Sequence, residues 1–255
     1  MTLPHIHKLP AEILQHIFHL CCPYHHELDT HPRTKNSPVC LSVVQVCSRW
    51  RQFLLHAPMF WDSIKTSSDP SQLSLASLWL SRAGSFPRSL RVTHYGPAAA
   101  IQSLIARFPF SKIALDSRHN NIAEKLDFSE IPIESLLPLK ILELGNNNDD
   151  SSQLSLGRHS FPNLSELYMY WYFDSISALV TSKTIEKLWI HGPVPISLCL
   201  DILRSATNLR ELLHLVVDDA ETVTSIQDIV APNLTNVKCL YFGYDSSQPE
   251  KSWDI

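Results

Sequence analysis

The chain starts with an apolar pattern of helical period. Apolar residues recur there every three or four positions, which predicts an amphipathic helix. They are Ile13, Leu14, Ile17, Phe18 and Cys21. Pro10 suits the first helical turn, where a missing N–H costs nothing, and Glu12 complements the positive end of the helix dipole. Pro23 predicts the end of this helix.

A second helical pattern follows a polar loop at residues 23–37. Its predicted start is Ser37-Pro38, a capping hydroxyl before a proline. One apolar face then runs as far as Pro58, and it comprises Val39, Val43, Val46, Trp50 and Leu54. A break near Ser48 would give three short helices in all. A segment this short can form only a marginally stable core of its own. Part of its apolar surface is therefore expected to bind a partner.

The order of short motifs in this region resembles the F-box. The motifs are Leu9-Pro10-Ala11-Glu12-Ile13-Leu14, Ile17-Phe18, Val46-Cys47-Ser48-Arg49-Trp50-Arg51 and Pro58-Met59-Phe60-Trp61. The resemblance covers roughly residues 8–64. The chain is similar in particular to large fungal F-box families, which also carry insertions such as the loop at 23–37. It implies a helical module that docks a substrate receptor onto the Skp-type adaptor of a cullin–RING ubiquitin ligase.

The resemblance also implies which residues meet the adaptor or hold the module together. They are Leu9, Pro10, Ile13, Leu14, Ile17, Phe18, Val43, Val46, Trp50, Leu54 and Trp61. Direct contact is expected first at the exposed start of the first helix, with Leu9 and Pro10. The alternative is that the N-terminal helices are only a cap on a larger domain.

The second part of the chain repeats a strand-like unit at intervals of roughly 21–29 residues. Residues 139–147 fit the leucine-rich-repeat pattern L-x-x-L-x-L-x-x-N. The apolar skeleton returns at Leu164/Leu167/Met169, Ile185/Leu188/Ile190, Leu234/Val237/Cys239 and, in weaker form, at Leu90/Val92 and Phe110/Ile113/Leu115. Leu209/Leu212 would turn His214 inward, so a one-residue shift onto Leu213/Leu215 is the alternative there. Residues 176–180 and 198–203 are predicted returning helices.

Together these patterns predict an α/β chain with a three-helix F-box followed by an irregular leucine-rich-repeat-like solenoid. The predicted division is an F-box at 1–64 with a loop insertion at 23–37, a linker helix at 65–86 and a substrate-binding domain at 87–255. Because one repeat cannot bury its apolar face alone, neighbouring units must stack. An ordinary α/β domain with similar strand spacing is the alternative fold.

Residues between the inward leucines are expected to face the concave surface of such a repeat. Tyr168, Tyr170 and Trp189, with Trp171 and Tyr172 nearby, would form an aromatic patch, and aromatic side chains dominate binding hot spots. The predicted substrate-binding residues are Glu143, Tyr168, Tyr170, Trp189, His191 and Lys238. The alternative is that some of these rings pack under loops.

Composition narrows the possible functions. The 255 residues carry a formal net charge of −4, which implies no basic surface for nucleic acid. No apolar stretch approaches a membrane span, and the six cysteines lack a framework spacing, so the cytoplasm or nucleus is expected. We expect no cofactor, no metal and no catalytic site, and predict a receptor subunit of an SCF ubiquitin ligase with an unknown target protein. The rival is a non-degradative repeat scaffold.

Overall fold

The computed structural model describes residues 9–21, 42–67, 69–93, 98–116, 126–145, 154–155, 161–170, 179, 182–218 and 233–242. For residues 154–155, 193, 196, 214–218 and 238–242 it describes the backbone alone. These ranges contain six α-helices and parallel β-structure, so the predicted α/β class is confirmed. No helix within them is both long and apolar enough to cross a bilayer.

The helices are α1 (Ala11–Cys21), α2 (Ser48–Leu55), α3 (Pro70–Ser81), α4 (Ala98–Arg107), α5 (Ile133–Leu136) and α6 (Ile196–Ser205). The strands are β1 (Ser63–Ser67), β2 (Arg88–Thr93), β3 (Phe110–Asp116), β4 (Leu126–Asp127), β5 (Ile141–Gly145), β6 (Leu154–Ser155), β7 (Glu166–Met169), β8 (Lys187–Ile190), β9 (Pro193–Pro195), β10 (Glu211–Asp218) and β11 (Asn236–Phe242). Pro58–Phe60 and Phe128–Glu130 are 3₁₀ turns. The chain divides into two compact units, residues 1–139 with 152–159 and residues 140–151 with 160–255.

The first unit holds α1 in place through an aromatic contact. The ring of Phe18 lies edge-on to Trp50 at 4.9 Å between centroids, to Phe53 at 5.6 Å and to Phe60 at 6.3 Å. Phe18 and Leu14, one turn earlier, are both buried. Each such side chain contributes about 1.5–3 kcal/mol on leaving water. The Leu14–Phe18 side of α1 is therefore its inner face.

The apolar stripe predicted on α1 is confirmed as buried only at Leu14 and Phe18. Ile13 is 47% exposed, Cys21 is exposed and Ile17 is half-buried. The apolar residues of α1 span a wide arc with helical period. The large ring of Phe18 makes the greater contact, so the helix turns that side inward.

The break predicted near Ser48 is confirmed. Cys47 adopts extended backbone angles at the start of α2, and its sulfur accepts the N–H of Trp50 at 3.5 Å. The residues just before it form a turn, so Val46 is 60% exposed instead of lying on the predicted inner face. The predicted start at Ser37-Pro38 lies outside the described residues.

Trp61 ties the end of α2 to α3. Its side chain is fully buried, and its indole N–H donates to the carbonyl oxygen of Leu54 at 2.7 Å. Its ring meets Trp79 of α3 edge-on at 4.6 Å, and the guanidinium of Arg82 lies 4.7 Å from the ring centroid. One side chain thus satisfies a helix-terminal carbonyl and packs against the next helix.

The segment predicted as a linker helix over 65–86 is partly a strand. Residues 63–67 form β1, which pairs in parallel with β2, and β2 pairs in parallel with β3. The helix in this region is α3, whose N-terminus is capped by Asp69 through a 2.8 Å hydrogen bond from the N–H of Ser71. The strand-like unit predicted at Leu90/Val92 is confirmed as β2.

A buried arginine closes the C-terminal end of α3. Arg88 Nε donates to the carbonyl oxygen of Leu80 at 3.1 Å, and its Nη2 donates to the carbonyl of Gly84. The guanidinium also lies 5.3 Å from the centroid of the Phe108 ring. Gly84 has a φ of 59°, a left-handed conformation that glycine adopts at no steric cost.

The second unit contains a sheet of parallel strands in the order β5-β7-β8-β10-β11, and β9 also pairs with β10. The five strands start at residues 141, 166, 187, 211 and 236, a spacing of 21–25 residues. At the start of β5 the carbonyl of Lys140 accepts hydrogen bonds from the N–H groups of Ser165 and Glu166, at 2.9 and 3.0 Å. The carbonyls of Ser165, Glu186 and Arg210 each accept two hydrogen bonds in the same way, from consecutive N–H groups at the start of the next strand.

The apolar skeleton of the repeat forms the buried layers of this unit. Three rows of side chains are buried: Leu142, Leu167, Leu188 and Leu212; Leu144, Met169 and Ile190; Leu164, Ile185 and Leu209. The suggested one-residue shift onto Leu213 is wrong, because Leu212 is buried and Leu213 is half-buried. Val237, predicted to point inward, is 45% exposed on β11, the last strand of the order.

The helix predicted at 198–203 is confirmed as α6, with Leu198 and Ile202 buried. The other predicted returning helix, at 176–180, lies outside the described residues except for Leu179, which is buried. Asn147 also lies outside the described residues, so the asparagine position of its unit stays a prediction.

Replacing Trp61 by phenylalanine should destabilise the first unit by about 2–4 kcal/mol. The Leu54 carbonyl would lose its 2.7 Å hydrogen bond from the indole and keep the 3.2 Å one from the Ala57 N–H, and the smaller ring would leave a gap against Trp79. Urea denaturation followed by far-UV circular dichroism measures the change. Phe86→Leu, at an exposed position, is the control and should cost less than about 0.5 kcal/mol. Equal costs for the two variants would contradict the role given to the indole N–H.

Candidate interaction surfaces

Burial separates the residues predicted to meet an adaptor into inner and outer groups. Five are buried: Leu14, Phe18, Val43, Leu54 and Trp61. Three are half-buried: Leu9, Ile17 and Trp50. Three are exposed: Pro10, Ile13 and Val46. Only the outer groups present side-chain surface that a partner can reach, and the buried five pack the helices of this chain.

The apolar residues of α1 that are exposed or half-buried lie along one stripe with Pro10, the residue before the helix. Pro10, Ile13, Ile17 and Leu20 recur at intervals of three and four, so they fall on one side of the helix, and we name them the outer face of α1. Leu20 is 73% exposed and was missed by the sequence reasoning. Its position seven residues after Ile13 was the available signal, since residues seven apart align on a helix.

A hydrogen bond joins the first turn of α2 to the residues that precede α1. Arg49 Nη2 donates to the carbonyl oxygen of Leu9 at 2.6 Å. This hydrogen bond ties the first turn of α2 to the residue that precedes Pro10.

A second surface lies on the sheet of the second unit, where the predicted aromatic residues come together. The rings of Tyr170 and Trp189 meet edge-on at 4.8 Å between centroids, and Tyr168 lies 6.3 Å from Trp189. His191 stacks beside Trp189 at 5.8 Å. We name Tyr168, Tyr170, Trp189 and His191 the aromatic face; the first three are half-buried and His191 is exposed.

Strand register explains this grouping. Tyr168 of β7 is level with Trp189 of β8 on one side and with Glu143 of β5 on the other. Side chains on one face of a parallel sheet are about 4.8 Å apart between strands. Lys238 is level with Leu213 in the β10–β11 pairing, but its side chain is outside the described set, as are Trp171 and Tyr172.

A row of charges runs beside the aromatic face. Lys187 Nζ lies 3.9 Å from Glu166 Oε1 and 3.9 Å from Glu211 Oε2. The Tyr168 hydroxyl donates to Glu166 Oε2 at 2.8 Å. Burial, this hydrogen bond and the charges of Glu166, Glu143 and Glu211 all raise the pKa of Tyr168, so the hydroxyl stays a donor at neutral pH.

Glu211 was missed among the site residues. Its position could have been found, because it precedes the inward Leu212 as Glu166 precedes Leu167 and Lys187 precedes Leu188. The uncertainty over a register shift at this unit hid that equivalence. Strand pairing places Glu166, Lys187 and Glu211 side by side, and this row can be recognised only once the register is known.

Within the described ranges, no three His, Cys, Asp or Glu residues are placed to hold a metal ion. Cys21, Cys47 and Cys199 have free thiols, and burial raises the pKa of Cys199 to about 11. Comparison of the chain with protein-family models, curated proteins and solved structures found no match. The functional argument therefore rests on the chemistry of the two surfaces.

Asp62→Asn should stabilise the protein at pH 7–8 and have little effect near pH 4. Burial raises the pKa of Asp62 from 3.8 to about 6, although its own backbone N–H and nearby His19 lower it. The folded state therefore loses stability as pH rises from about 4 through 6. The full shift corresponds to about 3 kcal/mol, and partial exposure reduces the expected gain to about 1 kcal/mol.

Thermal unfolding of wild type and Asp62→Asn across this pH range checks the sign. Asp201→Asn, an exposed change on α6, serves as the matched control. A gain at pH 4 as large as that at pH 8 would contradict the linkage argument.

Tyr170 and Trp189 should couple by about 0.5–1.5 kcal/mol, because their edge-on contact adds to the area that each ring buries. A double-mutant cycle of Tyr170→Leu and Trp189→Leu in urea measures this energy. A coupling near zero would mean that the two rings do not form a joint surface. The matched pair Phe86→Leu and Trp189→Leu should be additive.

Proposed function

We propose that this chain is the substrate-recognition subunit of an SCF-type ubiquitin ligase in the cytoplasm or nucleus. Its helices bind a Skp-type adaptor and, through it, the cullin–RING ligase. The aromatic face of the second unit binds a target protein. The chain itself supplies no bond-forming group in this proposal.

The observation that carries the proposal is the outer face of α1. Ile13 is 47% exposed and Leu20 is 73% exposed, on the helix that starts at the Leu9-Pro10 motif. A helix with apolar residues on both its inner and outer sides favours a partner on the outer side, since each covered aliphatic side chain gains about 1.5–3 kcal/mol. The F-box resemblance assigns this same helix start to the adaptor.

The proposed architecture is a three-helix F-box followed by an irregular leucine-rich-repeat-like solenoid. The break at Cys47 and the 3₁₀ turn at Pro58–Phe60 support the helical division. The strand spacing of 21–25 residues and the repeated shared carbonyl support the repeat, because leucine-rich repeats have periods of 20–29 residues.

The proposed mechanism is proximity. A receptor that holds a target beside the conjugating enzyme turns a bimolecular encounter with the thioester into a nearly unimolecular one. Effective concentrations in the millimolar range are common for groups joined in this way. The aromatic face would then need only moderate affinity, because the adaptor contact keeps the receptor on the ligase.

The rival proposal is a non-degradative scaffold whose helices only cap the second unit. It shares the target-binding surface with the first proposal and lacks an adaptor. Adaptor binding therefore separates the two.

The paired substitution Ile13→Asp, Leu20→Asp should weaken binding to a purified Skp-type adaptor by at least about tenfold, since it places two carboxylates in a covered apolar contact. Co-purification followed by calorimetric titration measures the loss. Both positions are exposed, so the fold should be retained, and circular dichroism checks this. Leu75→Asp, Leu78→Asp on α3 is the matched control, with the same charge change at exposed leucines.

Loss of capture in the outer-face variant alone would support the receptor. Absence of capture by the folded wild-type chain would favour the scaffold. An equal loss in the α3 variant would show that added charge, and not the outer face of α1, weakens binding.

A further inference from the structure

The sheet surface of the second unit combines two kinds of group that favour a cation. The rings of Trp189 and Tyr170 meet at 85°, so one ring's edge approaches the other's face and a corner forms between them. Tryptophan is the strongest aromatic partner for ammonium and guanidinium groups. This corner is on the described, half-buried side of β7 and β8, not in the inner layer.

Carboxylates lie in the rows beside the rings. Glu143 is level with Tyr168, and Glu166 and Glu211 lie two residues earlier along their strands than the row of Tyr168. With strands about 4.8 Å apart and alternate residues about 7 Å apart, these groups lie within about 10 Å of the rings. All three carboxylates are close enough to raise the pKa of Tyr168.

The described charged side chains beside the aromatic face have a negative sum. Among them are three glutamates and one lysine, Lys187, which lies 3.9 Å from each of two carboxylates. Those distances are longer than a charge-assisted hydrogen bond of about 2.7–2.9 Å, so Lys187 offsets one charge without closely occupying either carboxylate.

We propose that the aromatic face binds its target through a lysine or arginine side chain. The cation lies against Trp189 and Tyr170 and is attracted by Glu143, Glu166 and Glu211. The target segment is therefore basic or carries an isolated basic anchor. This inference rests on the proposed role of the second unit in target binding, but its test uses no adaptor, so the two proposals fail separately.

The rows also explain why an acidic segment is disfavoured. A carboxylate placed at the ring corner would meet three like charges and the electron-rich faces of the rings. A purely apolar segment could cover the rings, but it would take the neighbouring carboxylates out of water without adding an opposite charge, which costs free energy. A lysine or arginine side chain suits both the rings and the carboxylates, because its aliphatic stem covers a ring while its charged end reaches a carboxylate.

A random peptide library panned against the full-length chain tests this proposal. The wild-type chain should enrich peptides with lysine or arginine well above their frequency in the starting library. Individual enriched peptides are then titrated by fluorescence anisotropy. Replacing the basic residue of a peptide by glutamine should weaken binding at least about fivefold, and lysine and arginine versions of each peptide show which cation is preferred.

Two variants locate the site. Glu143→Gln, Glu166→Gln keeps the side-chain shapes and removes two charges, and it should weaken the same peptides at least about fivefold. Trp189→Leu tests the ring and should have a similar effect even at raised salt, where surface charge attraction is screened. Glu130→Gln, Glu134→Gln, at exposed positions of the first unit, removes the same charge elsewhere and should leave binding unchanged.

Three results would overturn the proposal. Enriched peptides without a basic excess would exclude a cationic anchor. If basic peptides lose the same affinity for the Glu143→Gln, Glu166→Gln variant as for the Glu130→Gln, Glu134→Gln control, general charge attraction and not this face would explain their binding. A library that yields no peptide above the background of the Trp189→Leu chain would show that the face does not bind extended segments of this kind.

Discussion

Four strands of the second unit, β5, β7, β8 and β10, are each preceded by a carbonyl that accepts two hydrogen bonds from the start of the next strand in the sheet. This shared acceptor sets the register of the sheet. Lys140 accepts from Ser165 and Glu166, and the arrangement recurs at three later strand starts. A slip of one residue would turn Glu166 into the leucine layer and Leu167 to the surface. Burying the carboxylate and exposing the leucine would both cost free energy, so the register is tightly determined.

The chemistry of the sheet surface follows from this register. Tyr168, Trp189 and the glutamates become neighbours because their strands start at equivalent positions, although 21 or more residues separate one unit from the next. Asparagines reinforce the alignment: Asn208 Nδ2 donates to the Lys183 carbonyl at 2.7 Å and Asn233 Nδ2 donates to the Thr207 carbonyl at 2.6 Å. The side chain and the backbone therefore fix the same offset between units.

Sequence reasoning succeeded where local alternation decides the outcome. The buried rows through Leu142, Leu167 and Leu188 were predictable, and so was the lower burial of the residues between them, since side chains in a strand alternate between faces. Sequence reasoning failed where contacts with distant parts of the chain decide which side of an element is buried or whether a strand forms. Two sides of α1 carry apolar residues, and the choice between them depends on where Phe18 meets rings from α2, which no local pattern encodes. In β1, residues 63–67 contain only one large apolar residue, and the strand exists because it pairs with β2.

The two candidate surfaces differ in the kind of contact that they favour. The outer face of α1 offers uncharged aliphatic side chains, and apolar contacts of this kind are typical of partners that stay together. The aromatic face places rings among carboxylates, a mixed composition closer to contacts that form and release. A receptor needs both properties, because it must remain on its ligase while successive targets come and go. The proposed assignment gives each task to the surface whose chemistry suits its required lifetime.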